Sequence, residues 1–192
     1  METVTTVCFV RHGETDWNVA GRCQGQENIP LNERGRAQAH KSGIYLRGEH
    51  WDVLVSSPLS RAWETARIIG EQIGVREIVP EPAFVERNYG EASGLVWAEV
   101  KHLYPDGVIP GAEGYAAVRE RCMPALDALA RAHPGKRLLV VAHGGAINAM
   151  LAAISNGQIG SGKTLLGNGC LCLLTHDGAR WDVHSHNEIG HL

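Results

Sequence analysis

The most constraining feature of this chain is a recurrent unit. A short, continuously apolar run stops at a polar triplet and is followed by a helical stretch. Val4 to Val10 runs into Arg11-His12-Gly13, and Leu138 to Ala142 runs into His143-Gly144-Gly145. Strands that are apolar at consecutive positions, rather than at alternate ones, are buried on both faces, which is how a parallel sheet sandwiched between helices reads. Val53-Leu54-Val55 and the short Glu77 to Val79 add two strands. Between them, helices are expected at Leu31 to Leu46, where Asn32 is the N-cap and Gly35 and Gly43 weaken the propensity, and at Leu59 to Ile73. For the second of these, Ser57-Pro58 offers a cap and a favoured first helical residue, and Ala62, Ala66, Ile69 and Ile73 mark a buried face. Tyr115 to Ala132 is a further helix, ended by Pro134-Gly135, and Ala146 to Ile154 is a short one. Two late strands, Cys170 to Leu174 and Trp181 to Ser185, meet around Asp177-Gly178. The expected fold is an α/β three-layer α/β/α sandwich with a mostly parallel central sheet and a late antiparallel strand.

A chain of 192 residues with 44% hydrophobic content suits one well-buried domain spanning 1–192, with the Gly- and Pro-rich stretch 80–114 as a lid over the site. The net charge of −3, with both signs interspersed, offers no basic stripe for nucleic acid. No run of eighteen apolar residues suggests a membrane span, and no basic start precedes an apolar stretch. The five cysteines (Cys8, Cys23, Cys122, Cys170, Cys172) lack zinc or redox spacing and suit a reducing compartment. These features point to a cytoplasmic protein with a small-molecule partner, and nothing in them sets an oligomeric state.

In a parallel sheet, ligands bind beyond the carboxyl ends of the strands. His12 and His143 therefore converge. Arg61, in the first turns of its helix, points to the same rim, and Glu86 lies in the covering segment. An imidazole nucleophile, two guanidinium groups, a second imidazole and a carboxyl group suit phosphoryl transfer, whose transition state spreads negative charge over three oxygens. Arginine binds two of those oxygens at once and stays charged. For His12 to attack phosphorus through one ring nitrogen, the other must be held as a donor to a backbone carbonyl. Glu86 would donate a proton to the leaving oxygen and then take one from water, with Glu91 as the competing carboxylate.

Several segments resemble, in order and spacing, those of the histidine phosphatase superfamily, also called phosphoglycerate mutase-like. They are Arg11-His12-Gly13-Glu14-Thr15-Asp16-Trp17-Asn18, Gln24-Gly25, Leu31-Asn32-Glu33-Arg34-Gly35, Ser56-Ser57-Pro58-Leu59-Ser60-Arg61-Ala62, Glu86-Arg87-Asn88-Tyr89-Gly90 and Val141-Ala142-His143-Gly144-Gly145. The resemblance implies a phosphoglycerate mutase-like fold and a phosphomonoesterase that uses neither metal nor other cofactor. His12 would be the phosphohistidine, Glu86 the proton donor, and Arg11, Arg61 and His143 the phosphate clamp. It further implies donors from Asn18 and the Gly144 amide, and contacts to the rest of a small phosphorylated metabolite from Gln24, Gly25, Arg87, Asn88 and Tyr89. Two departures stand out. Ala92-Ser93-Gly94 lacks the acidic residue common in the lid segment. The chain also has His143-Gly144-Gly145 and no Arg-rich insertion where cofactor-dependent phosphoglycerate mutases have His-Gly-Asn and a longer chain, which favours a phosphatase over a mutase. A catalytically silent phospho-ligand binding protein is the remaining alternative, and intact His12 and Glu86 argue against it.

Three other features invite competing readings. Gly157 to Thr164 matches the Walker A spacing, but it follows a helix instead of a strand, and no apolar strand ends in a magnesium-binding Asp, so a plain surface loop is expected. His176, His184, His186 and His191 read as surface residues because no third ligand is placed with His184 and His186. Cys170 and Cys172 read as packing residues. Trp97, His102 and Tyr104 stand between cleft lining and lid packing.

Overall fold

The computed structural model describes residues 4–192. Six strands form a single sheet: β1 (Thr5–Arg11), β2 (Val53–Ser56), β3 (Ile78–Pro80), β4 (Arg137–Ala142), β5 (Leu171–His176) and β6 (Trp181–Glu188), in the order β3-β2-β4-β1-β5-β6. Only β5 opposes its neighbours, pairing antiparallel with both β1 and β6. The mostly parallel sheet with a late antiparallel strand is the expected architecture.

Each central strand feeds both cores because its consecutive apolar side chains point to opposite faces. Val7 and Phe9 of β1 and Leu138 and Val140 of β4 pack with α5 (Tyr115–Ala132) and α6 (Gly144–Ile154) through Val118, Cys122, Leu126, Ile147 and Met150. Cys8 and Val10, with Leu139 and Val141, pack on the other face with α2 (Glu33–Leu46) and α3 (Ser60–Ile73) through Leu46, Ala62, Ala66 and Ile69. Cys170 and Cys172 are buried free thiols of the first core. No helix among the described residues is long and apolar enough to cross a membrane.

Two local expectations are corrected. Ser57-Pro58 does not open α3. The helix starts at Ser60 behind Leu59, which has no side-chain cap. The Ser57 hydroxyl instead pairs with His143 Nε2 and accepts from the N–H of Leu59, one residue before the helix begins. The stretch from Pro80 to Gly114 is also less irregular than its composition suggests, with 3-10 turns at Pro82–Phe84 and Gly90–Ala92 and a short α4 (Trp97–Leu103). Helix α4 buries only Val100, so it carries little periodic signal, and the Glu99 carboxylate accepts from the Val96 N–H to cap it. A four-residue α1 (Asp16–Val19) follows β1, with Thr15 and Asn18 closing a reciprocal cap.

Candidate active site

The strand order builds the site. β4 inserts between β2 and β1, and Arg11 pairs with Ala142 in register. The residues just past the carboxyl ends of these strands, His12 and His143, therefore emerge side by side, with ring centroids 5.2 Å apart. β2 reaches the same edge on the far side of β4, where the Ser57 N–H bonds to Val141 O at 3.0 Å and brings the Ser57 hydroxyl to His143 Nε2 at 2.8 Å. In the first turn of α3, Arg61 is fully buried.

Gly13 is required by close approach. A Cβ there would sit 2.3 Å from the Gly35 carbonyl oxygen, so the loop after β1 and the first turn of α2 touch backbone to backbone. The same backbone approach requires Gly35 in α2, where a Cβ would meet the Glu14 carbonyl oxygen. The Gly13 N–H donates to Thr65 Oγ1 at 3.1 Å, which fixes this loop to α3.

His12 is held as a neutral, oriented ring. Burial drives its imidazolium well below the ordinary range, and the neighbouring Arg61 and Arg11 charges act in the same direction. Nδ1 lies 2.7 Å from Gly13 O, which only accepts, so the ring proton sits on Nδ1 and the lone pair on Nε2. Arg61 Nε donates to that lone pair at 3.3 Å, while its two terminal nitrogens donate to Gly25 O and Glu27 O, each at 2.7 Å. Burial lowers the Arg61 guanidinium to about 10, which leaves it cationic at neutral pH. Arg11 donates to Leu166 O, but its Nε is buried without a partner among the described residues, and so is His143 Nδ1. Two guanidinium groups at a buried site with one carboxylate, Glu86, make an environment that an incoming anion stabilises.

Glu86 is buried, and it is the carboxylate of the cleft. Its oxygens accept from the N–H groups of Gly145 (3.0 Å), Ala146 (3.2 Å) and Arg87 (2.7 Å). Two of these donors belong to the first turn of α6. The N–H groups of Gly145 and Ala146 are therefore engaged by Glu86. Glu91 lies outside the cleft and accepts from the Tyr104 hydroxyl at 3.2 Å.

Sequence reasoning did not anticipate what anchors Glu86. Arg121, on α5, donates to the carbonyls of Val85 (2.8 Å) and Glu86 (3.0 Å) and to both oxygens of Glu113 (2.9 and 3.0 Å). Glu113 in turn accepts from the Asn88 N–H at 2.7 Å, and Arg121 holds its carboxyl below the usual carboxylate range. This clasp joins residues far apart in the chain, and only the tertiary structure reveals it.

The cleft, about 230 Å³, is lined by Arg11, His12, Asn18, Gln24, Gly25, Arg61, Glu86, Tyr89 and Gly144, with His143 directly behind. Asn18 Oδ1 accepts from the Thr15 N–H (3.1 Å) and Asn168 Nδ2 (3.2 Å), which leaves its own amide as a donor. Gln24 accepts from Thr15 Oγ1 at 2.9 Å. Arg87 and Asn88 are not brought to the cleft. The Arg87 guanidinium stacks on Tyr115 (4.5 Å) and Tyr89 (5.2 Å), and its Nε donates to Glu113 O. Asn88 Oδ1 accepts from the Gly90 N–H.

Trp97 lines the cleft, edge-on to Tyr89 at 5.6 Å, whereas His102 and Tyr104 do not. Arg22, Cys23 and Asn148 also line it and were not foreseen. Gly157 to Thr164 forms turns that open no helix, and Lys163 Nζ is tied to Gly157 O. The stretch nevertheless leads Thr164, Leu165 and Leu166 into the cleft wall, so it is more than a plain surface loop. The late histidines disperse to separate partners: His184 to Thr175 Oγ1 (2.7 Å), His191 to Ser42 Oγ (3.0 Å), and His176 packed on Trp181. Among the described residues, no three His, Cys, Asp or Glu side chains are grouped to hold a metal ion.

This geometry has close relatives. The chain is 42% identical over 189 residues to the "Uncharacterized phosphatase PhoE" of Bacillus subtilis (strain 168), covering 98% of this chain and 97% of that one. It is 35% identical over 202 residues to a metal-independent phosphoserine phosphatase of Arabidopsis thaliana, covering 98% and 84%. The mycobacterial glucosyl-3-phosphoglycerate phosphatase, solved as a complex with VO3, superposes with a TM-score of 0.87 at 29% identity, over 96% of this chain and 99% of that one. The model of the histidine phosphatase superfamily (branch 1) matches residues 7–189, and with the paired histidines and the cleft arginines this run identifies the chain as a member of that superfamily.

Proposed function

We propose that this protein hydrolyses small phosphomonoesters through a phosphohistidine on His12. The observation that carries the reading is the pinned His12 ring, neutral, with Nδ1 on Gly13 O and Nε2 turned to the buried Arg61, with the half-buried Arg11 charge nearby. Substrate phosphate displaces the Arg61 N–H from Nε2 and takes it as a donor to a phosphoryl oxygen. The Nε2 lone pair then attacks phosphorus. The ester P–O bond breaks, and the Glu86 carboxyl gives its proton to the leaving oxygen. In the second half, Glu86 takes a proton from water, the hydroxide oxygen attacks phosphorus, and the P–N bond breaks. Inorganic phosphate leaves, and His12 is neutral again. Arg11, Arg61, His143, Asn18 and the Gly144 N–H stabilise the equatorial oxygens.

Gln24, Gly25 and Tyr89 contact the leaving group, and a cleft of about 230 Å³ suits a small metabolite. Residues 80–114, which carry Glu86, Tyr89 and Trp97, act as the lid of one domain; residues 1–3 lie outside the described part of the chain. Five buried free thiols suit a reducing cytoplasm.

The test is turnover of an aryl phosphate in EDTA by the wild type and by His12→Ala, with radiolabelled phosphate used to trap the intermediate. Wild-type turnover, an acid-labile and base-stable label, and loss of both in His12→Ala are expected. Turnover that survives in His12→Ala overturns the reading. Supplying 3-phosphoglycerate with a trace of bisphosphoglycerate separates hydrolysis from mutase chemistry, since a mutase isomerises faster than it releases phosphate.

A further inference from the structure

Neutral histidine has one proton to give, and at His143 its location decides whether the ring donates to an anion or repels it. Both His143 nitrogens are buried. Nε2 faces Ser57 Oγ at 2.8 Å, and Nδ1 has no partner among the described residues. Burial, reinforced by the Arg61 charge, keeps the ring neutral.

The Ser57 hydroxyl settles the choice. Ser57 Oγ accepts from the Leu59 N–H at 3.3 Å, so one lone pair is engaged, and its single proton needs an acceptor. Its other hydrogen-bond neighbour is His143 Nε2. With the proton on Nε2, the Ser57 hydroxyl hydrogen would be stranded in a buried place, and a bare Nδ1 lone pair would face whatever anion the guanidinium groups attract. With the proton on Nδ1, both groups are satisfied. We infer that Ser57 is a positioning residue, whose hydroxyl donates to His143 Nε2 and locks the ring in the Nδ1–H tautomer, so that Nδ1 donates to the phosphoryl group.

The inference rests on the phosphoryl-transfer reading only for its last clause. The tautomer belongs to the unliganded protein and is measured without substrate. Ser57 Oγ thus accepts from the Leu59 N–H and gives its own proton to His143, whereas Ser56 Oγ donates to the adjacent Ser57 carbonyl.

The experiment is a long-range proton–nitrogen correlation spectrum of 15N-histidine-labelled protein, with the His143 signals identified by their loss in His143→Gln. The wild type is expected to show a protonated Nδ1 and an unprotonated Nε2. A wild-type spectrum with the proton on Nε2 overturns the proposal, whatever the activity. Ser57→Ala removes the hydroxyl and is expected to shift the ring toward the other tautomer. It should also lower kcat about tenfold and weaken vanadate inhibition by a similar factor, the loss of about one hydrogen bond to a charged group. Ser57→Ala with a wild-type tautomer, kcat and vanadate affinity also overturns it. If the tautomer is as inferred but no phosphate ester is turned over, the phosphatase reading fails and the positioning role of Ser57 stands.

Discussion

Gly145→Ala isolates the role of Glu86 without touching Glu86. An alanine Cβ at this position would lie 2.3 Å from Glu86 Oε1, 3.1 Å from its Cδ and 3.4 Å from Arg87 Cβ. The carboxylate oxygen must retreat by about 0.7 Å to reach even a 3.0 Å contact, and misplacement on the order of 1 Å costs about a hundredfold in rate. The retreat also stretches the bonds from Gly145 N–H and Ala146 N–H that now stand at 3.0 and 3.2 Å. The backbone tolerates alanine, and exchanging a helical glycine for alanine contributes roughly 0.5–1 kcal/mol. That gain offsets part of the steric cost, so the thermal midpoint should move by no more than about 3 °C.

The assay compares kcat/KM for phenyl phosphates of graded leaving-group acidity, because this parameter reports events only as far as phosphoryl transfer to the enzyme. Esters with a poor leaving group need the proton and should lose about a hundredfold. Nitrophenyl esters need it less and should lose under about tenfold. An equal loss across the series, or none at all, refutes the reasoning that Glu86 supplies the proton from this position.

Arg61→Lys should lower kcat/KM at least about tenfold, since an ammonium cannot reproduce the planar set of bonds to His12 Nε2, Gly25 O and Glu27 O; steady-state kinetics on one good substrate decides it. Arg121→Ala should lower unfolding stability in urea by about 2 kcal/mol and raise KM, because a half-buried guanidinium with several bonds is lost and the segment carrying Glu86 is released. His12 and His143 both have imidazolium values depressed by burial below the ordinary 6.5. The unfolded chain takes up these protons as pH falls through that value and the folded chain does not, so the stability present above it is lost below. Each ring should contribute about 1.4 kcal/mol of loss between pH 7.5 and 5.5 in urea titrations. A flat profile counts against two buried neutral rings.

The fold class was legible in the sequence for a simple reason. Burial on two faces demands unbroken apolar strands such as Val4 to Val10 and Leu138 to Ala142, and no alternative architecture places them so economically between amphipathic helices. α5 was readable end to end because Val118, Cys122 and Leu126 repeat at helical spacing over a long stretch. α4 was not, because seven residues with one buried side chain carry almost no period.

By itself, the sequence determined which chemical groups are available and at which strand ends they sit: His12, His143, Arg11 and Arg61 follow directly from local pattern and from the rule that such sheets bind ligands beyond their carboxyl ends. Only the tertiary structure decided that β4 lies between β2 and β1, which makes the two imidazoles neighbours and delivers the Ser57 hydroxyl to His143. It also decided that the first turn of α6 clasps Glu86, and that Arg87 and Asn88 turn to Glu113 instead of to the cleft. Hydrogen-bond partners of this kind join residues tens of positions apart. Each polar atom pairs with whatever packing brings within about 3 Å, and no local propensity encodes that choice.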